Sequence, residues 1–241
     1  MTGALSVQGV SKRFGGLLAV DGISFDVAPG ELVSIIGPNG AGKTTLFNLL
    51  TGQLAPSTGR VLLDGQDVSG LSPNRRAGIG FGRTFQISQT LTSLTTLENA
   101  MVGAFLHRRS IPEAARHAAA MLDLVGLGHR AGLRAGVLTL SERRRLEVAR
   151  ALALDPKIVL LDEVMAGLNQ TEIHEIVALV QHLNREGHTF LVIEHNLKVV
   201  RQFSHRVIVL ERGAMLAEGT AEDVLSNPRV VEAYVGKGRQ P

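Results

Sequence analysis

One segment, GPNGAGKTT at residues 37–45, restricts the possible folds of this chain more than any other feature of its sequence. An apolar segment of strand length, ELVSII, precedes it, and a helix-like segment, LFNLLTG, follows it. Glycines let backbone amides close around an anion, and the start of the following helix directs its positive end at the same point. The pattern is that of a phosphate-binding loop, which joins a buried strand to a helix in an α/β fold.

Every residue of the loop is a candidate for phosphate binding: Gly37, Pro38, Asn39, Gly40, Ala41, Gly42, Lys43, Thr44 and Thr45. We expect Lys43 to reach the outer phosphates of a nucleotide and the Thr44 hydroxyl to bind magnesium. The alternative is an incidental glycine-rich turn, and the strand before the loop and the helix after it argue against that alternative.

Two further apolar segments of strand length end in polar residues. KIVLL leads to Asp162 and Glu163, and TFLVI leads to Glu194 and His195. Ligands of open α/β sheets bind beyond the carboxyl ends of the strands. If these two strands and ELVSII are parallel neighbours, the phosphate loop, Asp162, Glu163 and His195 meet at one edge of the sheet.

The side chains after these strands suit hydrolysis of a phosphate. We expect Asp162 to join the magnesium shell and Glu163 to orient or deprotonate the attacking water. Acidic residues at a strand end are common in other proteins, so this prediction depends on the phosphate loop. His195 is a candidate hydrogen-bond partner of a terminal phosphate, although a lone histidine at a strand end is often only structural.

Two other side chains are candidates for nucleotide contact. Gln86 in GRTFQ lies where the α/β core gives way to a helical region, so it is a candidate to touch magnesium or water and to report the nucleotide state to that region. A plain surface glutamine is the alternative. Phe14 in SKRFGG is a candidate platform for stacking on a base, and a buried phenylalanine of a β lobe is the alternative.

The order of the patterns predicts one domain with an inserted lobe. LSVQGVSKRF, GISFDVAPG and RVLLDG predict an antiparallel β lobe near the N-terminus. Helical patterns follow, with a capping box at Thr95 and Glu98, and RGAMLAEG predicts a late hairpin before short C-terminal helices. We therefore predict a single domain, with an α/β nucleotide-binding core at residues 1–87 and 151–241 and a helical subdomain at residues 88–150.

Composition limits the classes to which the chain can belong. Its 241 residues, 44% of them hydrophobic, suffice for a real core. No segment approaches the roughly 18–20 apolar residues that cross a bilayer, and the N-terminus lacks the layout of a signal peptide, so we expect a cytoplasmic protein. Cysteine is absent, which excludes disulfides and thiolate nucleophiles. The formal charge of +3 is modest.

The segment LTLSERRRLEVARAL, residues 138–152, predicts a helix with an unusual start. Thr139 and Glu142 fit a capping box. Three consecutive arginines follow at 143–145, although cations in a first turn oppose the helix dipole. The residues alone leave three interpretations open: a nucleic-acid-binding stripe, a solvated face, or a helix start directed at an anion.

Taken together, these segments resemble an ATP-binding-cassette (ABC) transporter ATPase over nearly the whole chain, with the motifs in the family's order. The similarity is strongest to the nucleotide-binding subunits of branched-chain (hydrophobic) amino-acid importers, the LivG type. It is carried by GLLAVDGISF, IGPNGAGKTTLFNLLTG, GRTFQ, RRLEVARAL, AGLN, VIEHNLKVV and NPRVVEAYVG. The resemblance implies a P-loop (RecA-like) ABC ATPase core that carries the β lobe and the helical subdomain, with ATP and magnesium as ligands.

The resemblance also implies a role for each candidate residue. Phe14 stacks on adenine, Gln86 belongs to the Q-loop, and Asp162 binds magnesium. Glu163 is the catalytic base and His195 is the switch histidine. The catalytic set is then Lys43, Gln86, Glu163 and His195, and the magnesium ligands are Thr44, Gln86 and Asp162.

Residues 138–142, LTLSE, align with the signature segment of the family, usually LSGGQ, whose helix start faces the ATP of a partner subunit. Leu140 and Ser141 replace both signature glycines, so a Cβ stands where backbone approaches phosphate. Thr139 and Ser141 remain as candidate donors to the partner's ATP. For the three arginines, this placement favours interface and helix-start electrostatics.

The resemblance implies several partners. Two identical copies would each offer a glycine-free helix start, so we expect a second, nonidentical ABC ATPase subunit. Two membrane permease subunits and an extracytoplasmic substrate-binding protein complete the expected transporter. The chain would lie peripherally on the inner face of the cell membrane, and we expect no direct contact with nucleic acid.

Other functions remain as alternatives to amino-acid import. Related ABC ATPases transport urea or extract lipopolysaccharide. Soluble ABC ATPases act on DNA or ribosomes, but one cassette fills the 241 residues and leaves no room for the tandem cassette or coiled-coil arm expected of that class. A GTPase or small-molecule kinase would share the phosphate loop. The guanine-reading segment Asn-Lys-x-Asp is absent from the sequence, and LLDE with EHN fits the cassette better.

Overall fold

Residues 4–84 and 90–235 are described by a computed structural model of the chain. The strands in this part of the chain are β1 (Leu5–Phe14), β2 (Leu17–Val27), β3 (Leu32–Ile36), β4 (Thr58–Leu63), β5 (Gln66–Asp67), β6 (Phe81–Arg83), β7 (Ile158–Asp162), β8 (Phe190–Ile193), β9 (Arg206–Glu211) and β10 (Ala214–Gly219). The helices are α1 (Lys43–Leu50), α2 (Pro73–Ile79), α3 (Thr96–Ala104), α4 (Ile111–Leu124), α5 (Leu140–Leu152), α6 (Gln170–Arg185), α7 (Leu197–Phe203), α8 (Ala221–Ser226) and α9 (Pro228–Val235).

The chain folds into two compact units. The first contains the residues before position 74 together with those after position 186, and the second is Asn74–Glu186. The finer boundaries expected from the sequence, a helical subdomain at 88–150 within an α/β core, stay a prediction. None of the helices in the described ranges is both long and apolar enough to span a membrane.

Parallel strands form the centre of the first unit. β3 pairs in parallel with β8 on one side and with β9 on the other, and β10 returns antiparallel along β9. Every residue of β3 and of β8 is buried, as is typical of strands covered on both faces. The strands predicted at ELVSII and TFLVI, and the predicted late hairpin, are confirmed.

The first unit also contains the predicted antiparallel β lobe. Its four strands lie in the order β2-β1-β4-β5. Leu5, Val7 and Val10 of β1 are buried, while Gln8 between them is exposed, so one face of this sheet packs against a core.

The second unit is mainly helical and contains the parallel strand pair β6 and β7. Both capping boxes expected from the sequence are present, at Thr95 with Glu98 on α3 and at Thr139 with Glu142 on α5. Three small side chains, Ala104, Ala114 and Ala153, form a buried cluster where α3 and α4 approach the end of α5. The predicted helical region is therefore confirmed, and so is the strand predicted at KIVLL.

Candidate functional site

Two glycines of the phosphate loop occupy positions that no other residue fits. Gly37 has φ +153°, and a Cβ there would lie 2.3 Å from the backbone oxygen of Leu210. Gly42 has φ +97°, and a Cβ there would lie 2.6 Å from the backbone oxygen of Ala19. A side chain at either position would push the loop away from its neighbours. The loop is thus a backbone cradle packed closely against the rest of the first unit.

The helix that follows the loop has no side-chain cap. Gly42 is the N-cap residue of α1, in the left-handed conformation, and the first turn of α1 contains no acidic residue. By contrast, α3, α5 and α6 each begin with a capping box. An N-terminus with neither a capping side chain nor an acidic neighbour fits an external anion such as a phosphate.

Lys43 places its ammonium group inside the loop. The residue is 8% exposed, and Nζ donates hydrogen bonds to the backbone oxygens of Gly37 at 2.7 Å and Pro38 at 3.0 Å. Thr44, next along α1, is exposed. The loop therefore presents a cation and a hydroxyl beside the amides of the helix start, a set that fits the phosphates of a nucleotide and the oxygen ligands that Mg²⁺ prefers.

His195 lies at the same edge of the parallel strands as the loop. Ile35 of β3 is in register with Ile193 of β8, and the backbone N–H of Glu194 donates to the oxygen of Ile35 at 3.3 Å. The residues directly after the two strands are therefore neighbours. The His195 side chain is exposed.

In the second unit, Asp162 ends β7 and is 2% exposed. Its Oδ2 accepts a hydrogen bond from Arg83 Nη2 at 3.1 Å, and its backbone N–H donates to the Thr84 hydroxyl at 3.2 Å. Burial lowers the pKa of Arg83, while the Asp162 carboxylate acts against this shift. Glu163 follows with φ +48°, a strained conformation for a residue other than glycine, and such strain is common at functional sites.

Arg83 was not among the residues expected from the sequence. A signal was present in GRTFQ, because an arginine in a short, largely apolar strand needs an anionic partner when it is buried. The sequence does not show which carboxylate that partner is, since Arg83 and Asp162 are far apart along the chain.

The two hydroxyls of the signature segment have different surroundings. Thr139 is exposed, its backbone N–H donates to Glu142 Oε2 at 2.9 Å, and its Oγ1 accepts from the Glu142 backbone N–H at 3.2 Å. Ser141 is only 6% exposed. Thr139 is therefore the hydroxyl that an external group can reach in this subunit.

The three consecutive arginines contact their own unit. Arg143 donates to the backbone oxygens of Gly136 and Leu138, both at 3.0 Å. Arg144 is 6% exposed and pairs with Glu147 at 3.3 Å, and Arg145 pairs with Glu175. The interpretation of these three arginines as a merely solvated face is therefore wrong. They anchor α5 and the segment before it.

The remaining two candidates are Phe14 and Gln86, and the structure describes only Phe14. Phe14 is 45% exposed and Lys12 Nζ lies 5.3 Å from its ring centroid, so the alternative of a buried β-lobe phenylalanine is wrong. Gln86 lies outside the described residues.

Comparison with known proteins agrees with these features. A family model described as ABC transporter matches residues 20–166, and a model described as branched-chain amino acid ATP-binding cassette transporter matches residues 214–239. Two curated relatives are each 42% identical over 97% of this chain and 98% of their own length. They are the high-affinity branched-chain amino acid transport ATP-binding proteins BraF of Pseudomonas aeruginosa and LivG of Escherichia coli K12.

Two solved structures share the fold, each with a TM-score of 0.89 and 34% identity. One is a nucleotide-free ATP-binding cassette from an ABC transporter, with 97% of this chain and 99% of that chain covered. The other is the ADP conformation of an ATP-binding cassette, with 98% and 100% covered. The P-loop cassette fold expected from the sequence is thereby confirmed. The chain belongs to the ABC transporter family, as one of its nucleotide-binding, ATP-hydrolysing subunits.

Proposed function

We propose that this chain energises the import of branched-chain or other hydrophobic amino acids through separate membrane permease subunits. The observation that carries the ATPase part is the phosphate loop, with two glycines that cannot accept a Cβ, a helix start without a side-chain cap, and a buried Lys43. The cargo is inferred from the full-length similarity to branched-chain amino acid transport ATP-binding proteins. This similarity favours amino-acid import over the alternatives of urea transport, lipopolysaccharide extraction and a non-transport function.

Within this proposal, the first unit binds the nucleotide. The backbone amides of residues 37–45 and the Lys43 ammonium hold the phosphates of ATP, and Phe14 stacks on adenine. His195 hydrogen-bonds the terminal phosphate from the end of β8. These groups position ATP and do not themselves take up a proton.

Glu163 is the proposed general base. It takes the proton of the attacking water, and its strained backbone fixes the direction of its side chain. Thr44, Gln86 and Asp162 would hold Mg²⁺, since hydroxyl, amide and carboxylate oxygens are the ligands that this ion prefers. When bound, Mg²⁺ neutralises charge on the phosphate oxygens.

The proposed complex contains a second ATPase subunit. Two identical copies would each present a glycine-free signature segment, so we infer that the second subunit is a nonidentical paralogue. Thr139 offers its exposed hydroxyl to the ATP of that paralogue, whereas the burial of Ser141 leaves its backbone amide as the group that contributes. Two permease subunits and an extracytoplasmic substrate-binding protein complete the complex. The chain then lies on the cytoplasmic face of the membrane.

Reconstitution tests this function. The chain, its paralogue and the permeases are placed in liposomes with the substrate-binding protein, and uptake of leucine, isoleucine and valine is measured together with ATP hydrolysis. We expect uptake that depends on ATP and is lost in the Glu163→Gln variant. Transport of urea or extraction of lipopolysaccharide, without amino-acid uptake, would overturn the proposed cargo while leaving the ATPase assignment intact.

A further inference from the structure

Arg83 and Asp162 form a buried ion pair at the ends of neighbouring strands. β6 and β7 pair in parallel, and the two side chains are 10% and 3% exposed. Thr84, directly after β6, makes two hydrogen bonds to β7. Its backbone N–H donates to the oxygen of Leu160 at 2.9 Å, and its hydroxyl accepts from the Asp162 N–H. A carboxylate proposed to bind Mg²⁺ is therefore paired with a cation of its own unit.

Glu147 of α5 offers a second carboxylate to Arg83. The two residues line one cleft of about 180 Å³, formed by the end of β6 with α3 and α5. Glu147 is 5% exposed, and its Oε2 accepts from Arg144 Nη1 at 3.3 Å. Among the described residues, nothing donates a hydrogen bond to its Oε1. Arg150 lines the same cleft and attracts Glu147 electrostatically, but it donates no hydrogen bond to this oxygen. Because a buried acceptor without a donor is costly, Oε1 can still accept from a second guanidinium.

We propose that Arg83 is a positioning residue that exchanges between these two carboxylates. It neutralises Asp162 before metal binds, and it turns to Glu147 Oε1 when Asp162 binds Mg²⁺. The inference rests on the proposed function, in which Asp162 is a magnesium ligand.

The physical reason for the exchange is charge. A guanidinium and a divalent cation repel each other strongly in a site with little water, so Asp162 cannot keep both at short range. Arg83 and Glu147 line the same cleft, and the long arginine side chain can change its direction there by rotation about its own bonds. Glu147 lies on α5, whose first turn carries the signature segment, so metal capture is coupled to the helix that serves the partner's ATP.

Metal affinity tests the exchange without relying on turnover. The full-length subunit is saturated with ATP in a Glu163→Gln background and titrated with Mn²⁺, and free Mn²⁺ is measured by electron paramagnetic resonance. Arg83→Gln removes a competitor, so we expect tighter Mn²⁺ binding, whereas Glu147→Gln removes the receiving carboxylate and should weaken it, each by roughly threefold to tenfold. The double variant should behave like Arg83→Gln alone, because the acceptor has no role without Arg83.

The controls separate this inference from the function on which it rests. Glu175→Gln, which removes an ion-paired glutamate on α6, should leave Mn²⁺ affinity unchanged. If Glu147→Gln does not fold, Glu147→Asp keeps the charge with a shorter reach and should weaken Mn²⁺ binding only when Arg83 is present. Additive effects of the Arg83 and Glu147 changes would overturn the exchange. If Asp162→Asn leaves Mn²⁺ affinity unchanged, the magnesium assignment itself fails and the exchange with it.

Discussion

Glu163 has a left-handed backbone, with φ +48°, directly after the buried Asp162. We predict that Glu163→Gln binds ATP as the wild type does but hydrolyses it about 10² to 10⁴ times more slowly in the assembled complex. The amide keeps the shape of the side chain and loses only its basicity. Equilibrium nucleotide binding and phosphate release measure the two effects. Glu186→Gln, an exposed residue beyond the end of α6, is the matched control. Hydrolysis near the wild-type rate would reject Glu163 as the base.

Phe14 is an exposed aromatic side chain of the unit that holds the phosphate loop. We predict that Phe14→Ala weakens ATP binding by about 1–3 kcal/mol with little change in the chemical step, because stacking acts on ground and transition states alike. Titration with a fluorescent nucleotide analogue measures the affinity, and single-turnover rates at saturating ATP measure the chemical step.

Phe105→Ala is a suitable comparison, since Phe105 is similarly exposed, at 46%, and follows α3 in the other unit. Phe14→Trp should retain affinity. An unchanged ATP affinity in Phe14→Ala would show that this ring does not contact the base.

At the scale of elements, α9 connects the C-terminal part of the chain to the phosphate loop. Tyr234 packs against a buried cluster that includes Ile36 and Val230. Burial raises the pKa of Tyr234 to about 12, and an interaction with the Gly37 backbone, short of a full hydrogen bond, partly opposes this shift. Tyr234 of α9 therefore packs against the cluster that contains Ile36, the last residue before the loop, and interacts with Gly37, the first residue within it.

The pKa of Tyr234 makes the docking of α9 measurable. Tyr234 is the single tyrosine of the chain and tryptophan is absent, so tyrosinate absorbance reports this residue alone. We predict a titration midpoint near 12 in the folded protein, against 10 for an ordinary tyrosine. Stability is unaffected by this group below pH 10 and falls between pH 10 and 12, because the unfolded chain then loses the proton more readily. A midpoint near 10 in the folded protein would show that α9 does not bury the hydroxyl.

At the scale of the whole molecule, the candidate groups are divided between the two units. The phosphate loop and His195 belong to the first, and Asp162, Glu163 and Thr139 belong to the second. In the proposed complex, Thr139 serves the ATP of the paralogue and not the nucleotide of its own subunit. A substitution at Thr139 should therefore affect hydrolysis by the complex without affecting ATP binding by the isolated subunit.

We predict that Thr139→Asp leaves ATP binding to the isolated subunit unchanged and lowers ATP hydrolysis by the complex at least about tenfold. Aspartate caps a helix as well as threonine does, so α5 stays stable, but its charge faces the partner's phosphates. Thr95→Asp makes the same change at the matching cap of α3 and should leave hydrolysis unchanged. Loss of ATP binding by a folded Thr139→Asp subunit would show that the segment serves its own site.

Sequence alone determined the features that depend on neighbours along the chain. The buried strands β3, β7 and β8 follow from continuous apolar segments, and the starts of α3 and α5 follow from capping boxes that span four residues. The phosphate loop is likewise local, since its glycines, lysine and threonines are consecutive. The antiparallel lobe could be predicted because turn residues separate its strands.

Tertiary structure decided which distant groups meet. The sequence does not show that Arg83 pairs with Asp162, that Ser141 is buried while Thr139 is exposed, or that Tyr234 reaches the phosphate loop. The sequence left the role of the three arginines of α5 open for the same reason, because the partners of Arg143 in the preceding loop and of Arg145 on α6 are set by the packing of the unit. Charge and burial depend on every element around a side chain, and a local pattern records only the residues beside it.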